Sequence, residues 1–447
     1  NNILLQGRQC VDYIKKLCVP RSGVDGIWSL DKTVSDLNGN FSCVVNHGNC
    51  VFAAVDRIRS IPLFYGLKGD HFYLSDNAYW VREKVGDLEM DEMTKQEFLL
   101  TGFVTGNETL FPSVKQLQAG VCLWVTLQNG HPHVETRRYY VYIFKDFFDA
   151  AEEDLYPVMD KVLVNGFKRL LLSAGDSTLV VPLSGGGDSR LVAAMLKRLG
   201  CENVICFSYG RPGNWESEIS KQVAERLGYR WEFMPHTRIK CRRWFQSAER
   251  RSYSRYTHQL SSLPHFQDWP AVWELKKAGK IPENAIIVPG HIAARSLKDI
   301  PINTATFNKL GKDEMINVII KKHYSLWNWS RKSEKLWPVL KERVLSLLSD
   351  MAMDNLAKEV SAYECFELQE RQSKFIFHSC QVYEFWGFEW RLPLCDHEMM
   401  DFWTKIPLAL RLNKKIYRNF LRQTIFKTYN LNAFKVKVSD WEFSKLV

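Results

Sequence analysis

No apolar run in this chain approaches the ~20 residues that a membrane-crossing helix requires, which excludes a helical membrane protein. The eleven cysteines form no C-x-x-C pair, and their number is odd. This suggests neither a disulfide framework nor a zinc site, and the expectation is of scattered core thiols in a reducing compartment. The opening residues, NNILLQGRQC, have neither the basic start nor the apolar stretch of a secretory leader, so the expected location is cytoplasmic. There is no internal repeat and no low-complexity tract, which argues against a solenoid or a disordered arm. Nor is there a G-x-x-x-x-G-K-[ST] loop, so the lysine that serves γ-phosphate transfer is missing.

What is present is an ordinary globular composition, with 46% apolar and 25% charged residues over 447 positions, enough for two domains. The net charge of +10 is uneven. Phe402 to Ser439 holds nine Lys/Arg and no acid, and Arg238 to Arg255 holds seven against Glu249 alone. Such stretches suit a polyanion, or they are solvated helix faces.

Up to about Tyr142 the pattern is of short strands and turns. FSCVV, CVFAAVD and VCLWVTL are β-rich, and NHGN and QNGH stand at turn positions. Helical spacing predicts a helix over Glu152 to Leu172, which sets a domain boundary near residue 148. Beyond it, strands and helices alternate: TLVVPL, then a helix from Arg190 to Leu199, NVICFSY, then a helix from Glu216 to Gly228, followed by RWEFMP and AIIVPG. The fold class is therefore α/β, a parallel sheet wrapped by helices, preceded by a smaller β-rich domain and followed by a mostly helical part from about Lys312.

Ser184-Gly185-Gly186-Gly187-Asp188-Ser189 lies between the first of these strands and its helix. Glycines there let backbone N–H groups crowd a phosphate, and a helix N-terminus adds its dipole. Ser184 and Ser189 add hydroxyls, and Asp188 is a carboxylate able to hold Mg2+ against the same phosphates.

SGGGDS resembles the pyrophosphate loop of N-type ATP pyrophosphatases, which cleave ATP between the α and β phosphates. Three further stretches resemble the asparagine synthetase family within them: CFSYGRPGNWESEISKQVAERLG, GFEWRLPLCD (Gly387–Asp396) and KKIYRNFLRQTIF followed by FKVKVSD. The resemblance covers about 178 to 440. It implies an ATP-dependent ligase that adenylates a carboxylate, releases pyrophosphate, and forms an amide with ammonia or an amine.

The front of the chain resembles that family's glutaminase domain through LNGNFSCVV, VDRIRSIPLFYG and FYLSDNAYWV. No Cys-Gly-Ile start is present, and Cys10 matches nothing in the family's opening. The expectation is a degenerate, N-terminal-nucleophile-type domain over 1–148 that does not hydrolyse glutamine, and a synthetase domain over 149–447. Beta-lactam synthetases and lasso-peptide cyclases also lack a working glutaminase.

Carried over residue by residue, the resemblance gives the loop residues the pyrophosphate and Asp188 the magnesium, and sets Ser208 and Tyr209 beside adenine. Gly290 and His291 fall in the family's second phosphate-side motif. There its aspartate and glutamate positions are Ala294 and Arg295. Asp188 then holds magnesium with phosphate oxygens alone, or Asp299 replaces the missing acid, or catalysis is impaired. His291, with a near-neutral pKa, is a candidate to take a proton from the amine, or else a satisfied strand-end histidine. Glu389 is a candidate to orient the nucleophile, or half of an ion pair with Arg391. Asp396 reads as a helix N-cap. Lys437 aligns with the family's late lysine, Lys435 being the other register.

The expected partners are a small-molecule, sugar or peptide carboxylate, an amine or ammonia, and a separate protein that supplies ammonia or presents substrate. Neither a membrane nor nucleic acid is expected. A tRNA-modifying pyrophosphate-loop enzyme and a non-catalytic ATP-binding relative are the alternative readings.

Overall fold

A computed structural model describes residues 30–291, 297–327 and 335–433. The front of the chain forms two antiparallel sheets. β1 (Ser42–His47), β2 (Cys50–Val55), β6 (Val121–Gln128) and β7 (His131–Arg138) are neighbours in that order. β3 (Phe64–Lys68) lies between β4 (His71–Ser75) and β5 (Lys115–Gln116). Asn129 and Gly130 join β6 to β7 with φ of 51° and 84°, the left-handed pair that a two-residue hairpin needs to match strand twist. β3, β4, β5 and β7 are additional to the strands named from the sequence: β4 and β7 expose polar residues along their length, and β3 and β5 are too short for a period to show.

The second part is built on a five-stranded sheet in the order β10-β9-β8-β11-β12, every pair parallel. The strands are β8 (Leu179–Pro182), β9 (Val204–Gly210), β10 (Arg230–Pro235), β11 (Ile286–Ile287) and β12 (Glu389–Trp390). β8 and β9 read as continuous apolar runs because helices cover both faces of such a sheet. The chain moves outward from β8 through β9 to β10, then returns to lay β11 on the other side of β8. Strand order thus reverses between β8 and β11, and a crevice opens at the carboxyl ends on such a reversal.

Local chemistry fixes the intervening helices. Trp215–Leu227 starts where the Asn214 side chain accepts from Ser217 N–H and stops at Gly228, whose φ is 74°. The predicted helix over Glu152 to Leu172 is observed as Tyr156–Ala174, after a 3-10 turn. Among the described residues no helix is long and apolar enough to cross a membrane.

Front and back are locked by buried charge. Glu97 meets Arg343 at 3.0 Å and also accepts from Tyr324 and Thr105 hydroxyls. Lys374 lies in a π-helical stretch (Leu368–Ile376). It donates to the Val104 and Gly106 carbonyls and meets Glu370 at 2.6 Å. Glu370 accepts in turn from Gly106 N–H and the Gln118 amide. Burial pushes the Lys374 ammonium down to about 8 even though Glu370 opposes it.

Candidate active site

β8 runs through Leu183 into the loop, and the helix that follows spans Gly187–Arg198, three residues earlier than the sequence pattern indicates. Gly186 is its N-cap with no side-chain cap, so the N–H groups of the first turn point out of the helix without that partner. The two serines brace the loop from within. Ser189 Oγ accepts from Ser184 N–H and lies 3.1 Å from Ser184 Oγ, which accepts from Gly186 N–H. Ser189, only 5% exposed, shapes the turn through these bonds.

Two glycines are required by close approach. A Cβ on Gly185 would stand 2.7 Å from Trp215 Cζ3, and one on Gly290 2.5 Å from Ser189 N. The segment after β11 therefore presses, at Gly290, on the first turn of the loop helix. Arg190 holds the loop from behind, donating to the Gly185 and Leu431 carbonyls. Burial lowers its guanidinium to about 10.

Asp188 accepts from the Tyr417 hydroxyl at 2.7 Å and lies 3.7 Å from Lys414 Nζ. Neither partner was singled out from the sequence, although both stand in the KKIYRNFLRQ stretch that carried the resemblance. Asn413 and Lys414 adopt positive φ, 51° and 55°, and so turn the chain into the helix Lys415–Gln423 beside the loop. Tyr417 is buried. First that burial, then the Asp188 charge, pushes its hydroxyl well above the usual tyrosine range, so it remains a donor.

Ser208 and Tyr209 end β9, the first buried and the second half-buried. Tyr209 stacks on His236, ring centroids 5.1 Å apart, and His236 rests edge-on against Trp244. Burial lowers the His236 pKa, so this wall is neutral near pH 7.

His291 follows Gly290 at the crevice, its Nδ1 3.6 Å from Cys380 Sγ and its ring against Phe377. Part of the residue remains accessible, but the protein around the ring pushes its pKa to about 4. The near-neutral base expected from the sequence is thereby corrected. At neutral pH His291 is an uncharged hydrogen-bonding group and a poor proton acceptor.

Glu389 is a second correction. It pairs in register with Ile286, which pairs with Leu179, so it stands at the start of the sheet, five residues below Ser184. At ~3.3 Å per residue that is roughly 16 Å from the loop. Its carboxylate is exposed and bonded to Arg391 at 2.6 Å, the ion-pair alternative. Asp396 is the N-cap of His397–Thr404 and also grips Arg169. Asp299 is engaged by Lys322 at 2.8 Å. Lys437, Lys435, Ala294 and Arg295 lie outside the described residues.

With this geometry established, comparison with known proteins is decisive for the family. Residues 161–243 and 228–429 match the asparagine synthase family, more than half of the chain. The chain belongs to the asparagine synthase family. Residues 27–140 match the glutamine amidotransferase domain, so the front sheets are this family member's glutaminase-like part.

A probable asparagine synthetase [glutamine-hydrolyzing] of Acanthamoeba polyphaga mimivirus is 26% identical over 199 residues, 44% of this chain. The match spans only 34% of that protein's length. Among solved structures, an NH3-dependent NAD synthetase from Campylobacter jejuni is 16% identical with a TM-score of 0.23, covering 48% of this chain and 94% of that one. A predicted subunit of tRNA methyltransferase from Methanocaldococcus jannaschii is also 16% identical, with a TM-score of 0.18, covering 37% and 74%. Likenesses that slight carry no argument. The asparagine synthase family is one of ATP-dependent amidotransferases and ligases.

Proposed function

We propose that the chain adenylates a carboxylate with ATP, releases pyrophosphate, and passes the acyl group to ammonia or an amine. The observation that carries this reading is the glycine loop Ser184–Ser189, at the strand-order reversal, with Asp188 on the first turn and no loop lysine.

The residues present fit a nucleotide and Mg2+. Glycine at 185 and 290 keeps Cβ atoms out of a loop already in contact with its neighbours, and the first-turn N–H groups suit an anion. Among the described residues no three His, Cys, Asp or Glu side chains converge as a metal cage. A single carboxylate, Asp188, completed by phosphate oxygens, is the donor set that Mg2+ commonly accepts. When bound there, Mg2+ would neutralise phosphate charge.

Each residue then has a task. The loop N–H groups hold the leaving pyrophosphate, and Lys414, 3.7 Å from Asp188, supplies a cation beside the same loop. Tyr417 aims the Asp188 carboxylate. Ser208 and Tyr209 border the base, with His236 fixing the tyrosine ring. His291 orients the acyl acceptor as a neutral group, and Lys437 remains the proposed stabiliser of charge on the adenylate.

The test is product identity. Incubation with ATP, Mg2+ and candidate carboxylates should yield AMP and pyrophosphate in equal amounts. ADP and phosphate as the main products would overturn the assignment.

A further inference from the structure

The basic stretch Arg238–Arg255 folds as two consecutive helices, Arg238–Gln246 and Ala248–His258. Their inner faces are used up in the core, through Trp244 at 3% and Tyr253 at 0% exposure. Lys240 pairs with Glu274 at 2.6 Å. The six arginines are placed differently. Arg250 and Arg251 donate to the Phe245 and Gln246 carbonyls, and Arg255 lies 4.6 Å over the Tyr79 ring. Among the described residues none of the six pairs with a carboxylate. Between them Ile239 stands 78% exposed and Phe245 50% exposed.

Building on the ligase reading above, we propose that this helix pair docks an acidic polypeptide that carries the carboxylate to be adenylated. Charge selects the class: six guanidiniums without a carboxylate partner among the described residues attract anions, and arginine's fork matches carboxylates two bonds at a time. The apolar side chains select protein. An apolar centre ringed by arginine, with lysine scarce, is the pattern of a protein-binding patch. A bilayer-binding helix instead separates its apolar face from its charged one, and here the separate apolar face is already buried. A nucleic-acid backbone offers an exposed isoleucine nothing to pack against.

Location supports the link to substrate. The first helix begins at Thr237, its N-cap, one residue beyond His236, the ring stacked on Tyr209 at the crevice. A chain seated on the patch therefore lies at the rim of the candidate active site.

Fluorescence anisotropy, without ATP, tests this. The probe is a labelled peptide in which glutamate and aspartate alternate with leucine and phenylalanine, compared with its glutamine/asparagine counterpart. The acidic peptide should bind, weaken as salt rises, and lose at least about tenfold in affinity with Arg242→Glu/Arg243→Glu. Ile239→Ser should weaken binding while leaving the salt dependence unchanged. These side chains are exposed, so circular dichroism of the variants should match the parent.

Equal binding of both peptides, or no effect of the arginine reversal, overturns the proposal. So does retention by phosphatidylserine-containing vesicles or single-stranded RNA when the acidic peptide fails to bind. Failure of the ligase reading looks different: no carboxylate gives AMP, yet the acidic peptide still binds.

Discussion

At the end of β8 a lone carboxylate, Asp188, meets one hydroxyl and one ammonium in partly open space. At the seam between the front sheets and the helical part, Glu370 and Lys374 are sealed from water, at most 1% exposed, with Arg59 and Gln118 around them. Both are acid–lysine arrangements, but only the second has every polar partner inside the protein. An open acid with few partners can exchange them for a metal ion and phosphate. A closed pair can only hold two parts of a chain in one geometry, and losing one member leaves a buried charge uncompensated.

The contrast can be broken at the closed end first. Lys374→Ala should cost about 3–5 kcal/mol of unfolding free energy, read by chemical denaturation, because Glu370 would remain buried without its cation. At the open end Asp188→Ala should leave the denaturation midpoint nearly unchanged, while AMP formation falls roughly a hundred- to a thousandfold. A large stability loss there would mean that the site is a structural clamp.

Gly290→Ala sharpens the comparison by touching both properties. With its Cβ driven to 2.5 Å from Ser189 N, the loop helix has to shift, costing about 1–3 kcal/mol and lowering turnover.

At neutral pH the smallest effect is that of a buried histidine, which shows only as the pH falls. Burial pushes His323 down to about 3, and among the described residues neither of its ring nitrogens has a hydrogen-bond partner. Between that value and an unfolded pKa of about 6.5, the unfolded chain binds the extra proton, so stability falls as pH drops through this window. His323→Leu should therefore flatten the acid limb of the stability curve by up to ~1.4 kcal/mol per pH unit. An unchanged acid limb would show that the histidine is protonated in the fold.

The same contrast explains what was legible in the sequence. The glycine loop, β8, β9 and the helix over Glu216 to Gly228 are each marked by the residues of their own segment, an apolar run, a glycine turn or a stop glycine. Lys414 and Tyr417 are far from Asp188 in the chain, and only the fold brings them there. His291 stands at the crevice through its neighbours in sequence, but its lowered pKa comes from burial against the opposing charge of Asp268, and the groups packed on its ring, Phe377 and Cys380, belong to a distant segment. Glu389 was misjudged because register decides which end of a sheet a residue occupies, and two-residue β12 gives no periodicity to read. The Glu97–Arg343 and Glu370–Lys374 pairs had no signal, since a charged residue on a helix looks solvated until its partner is known.

The lateness of β12 has a consequence for biosynthesis. β11 pairs with β12 only after about 100 further residues have been made, and at roughly 5–20 residues per second that interval lasts about 5–20 s. During it one edge of the parallel sheet stays open to other chains, a known route to aggregation. Lys414 and Tyr417 emerge later still, so a nascent chain completes its phosphate loop long before the loop's aspartate has its partners.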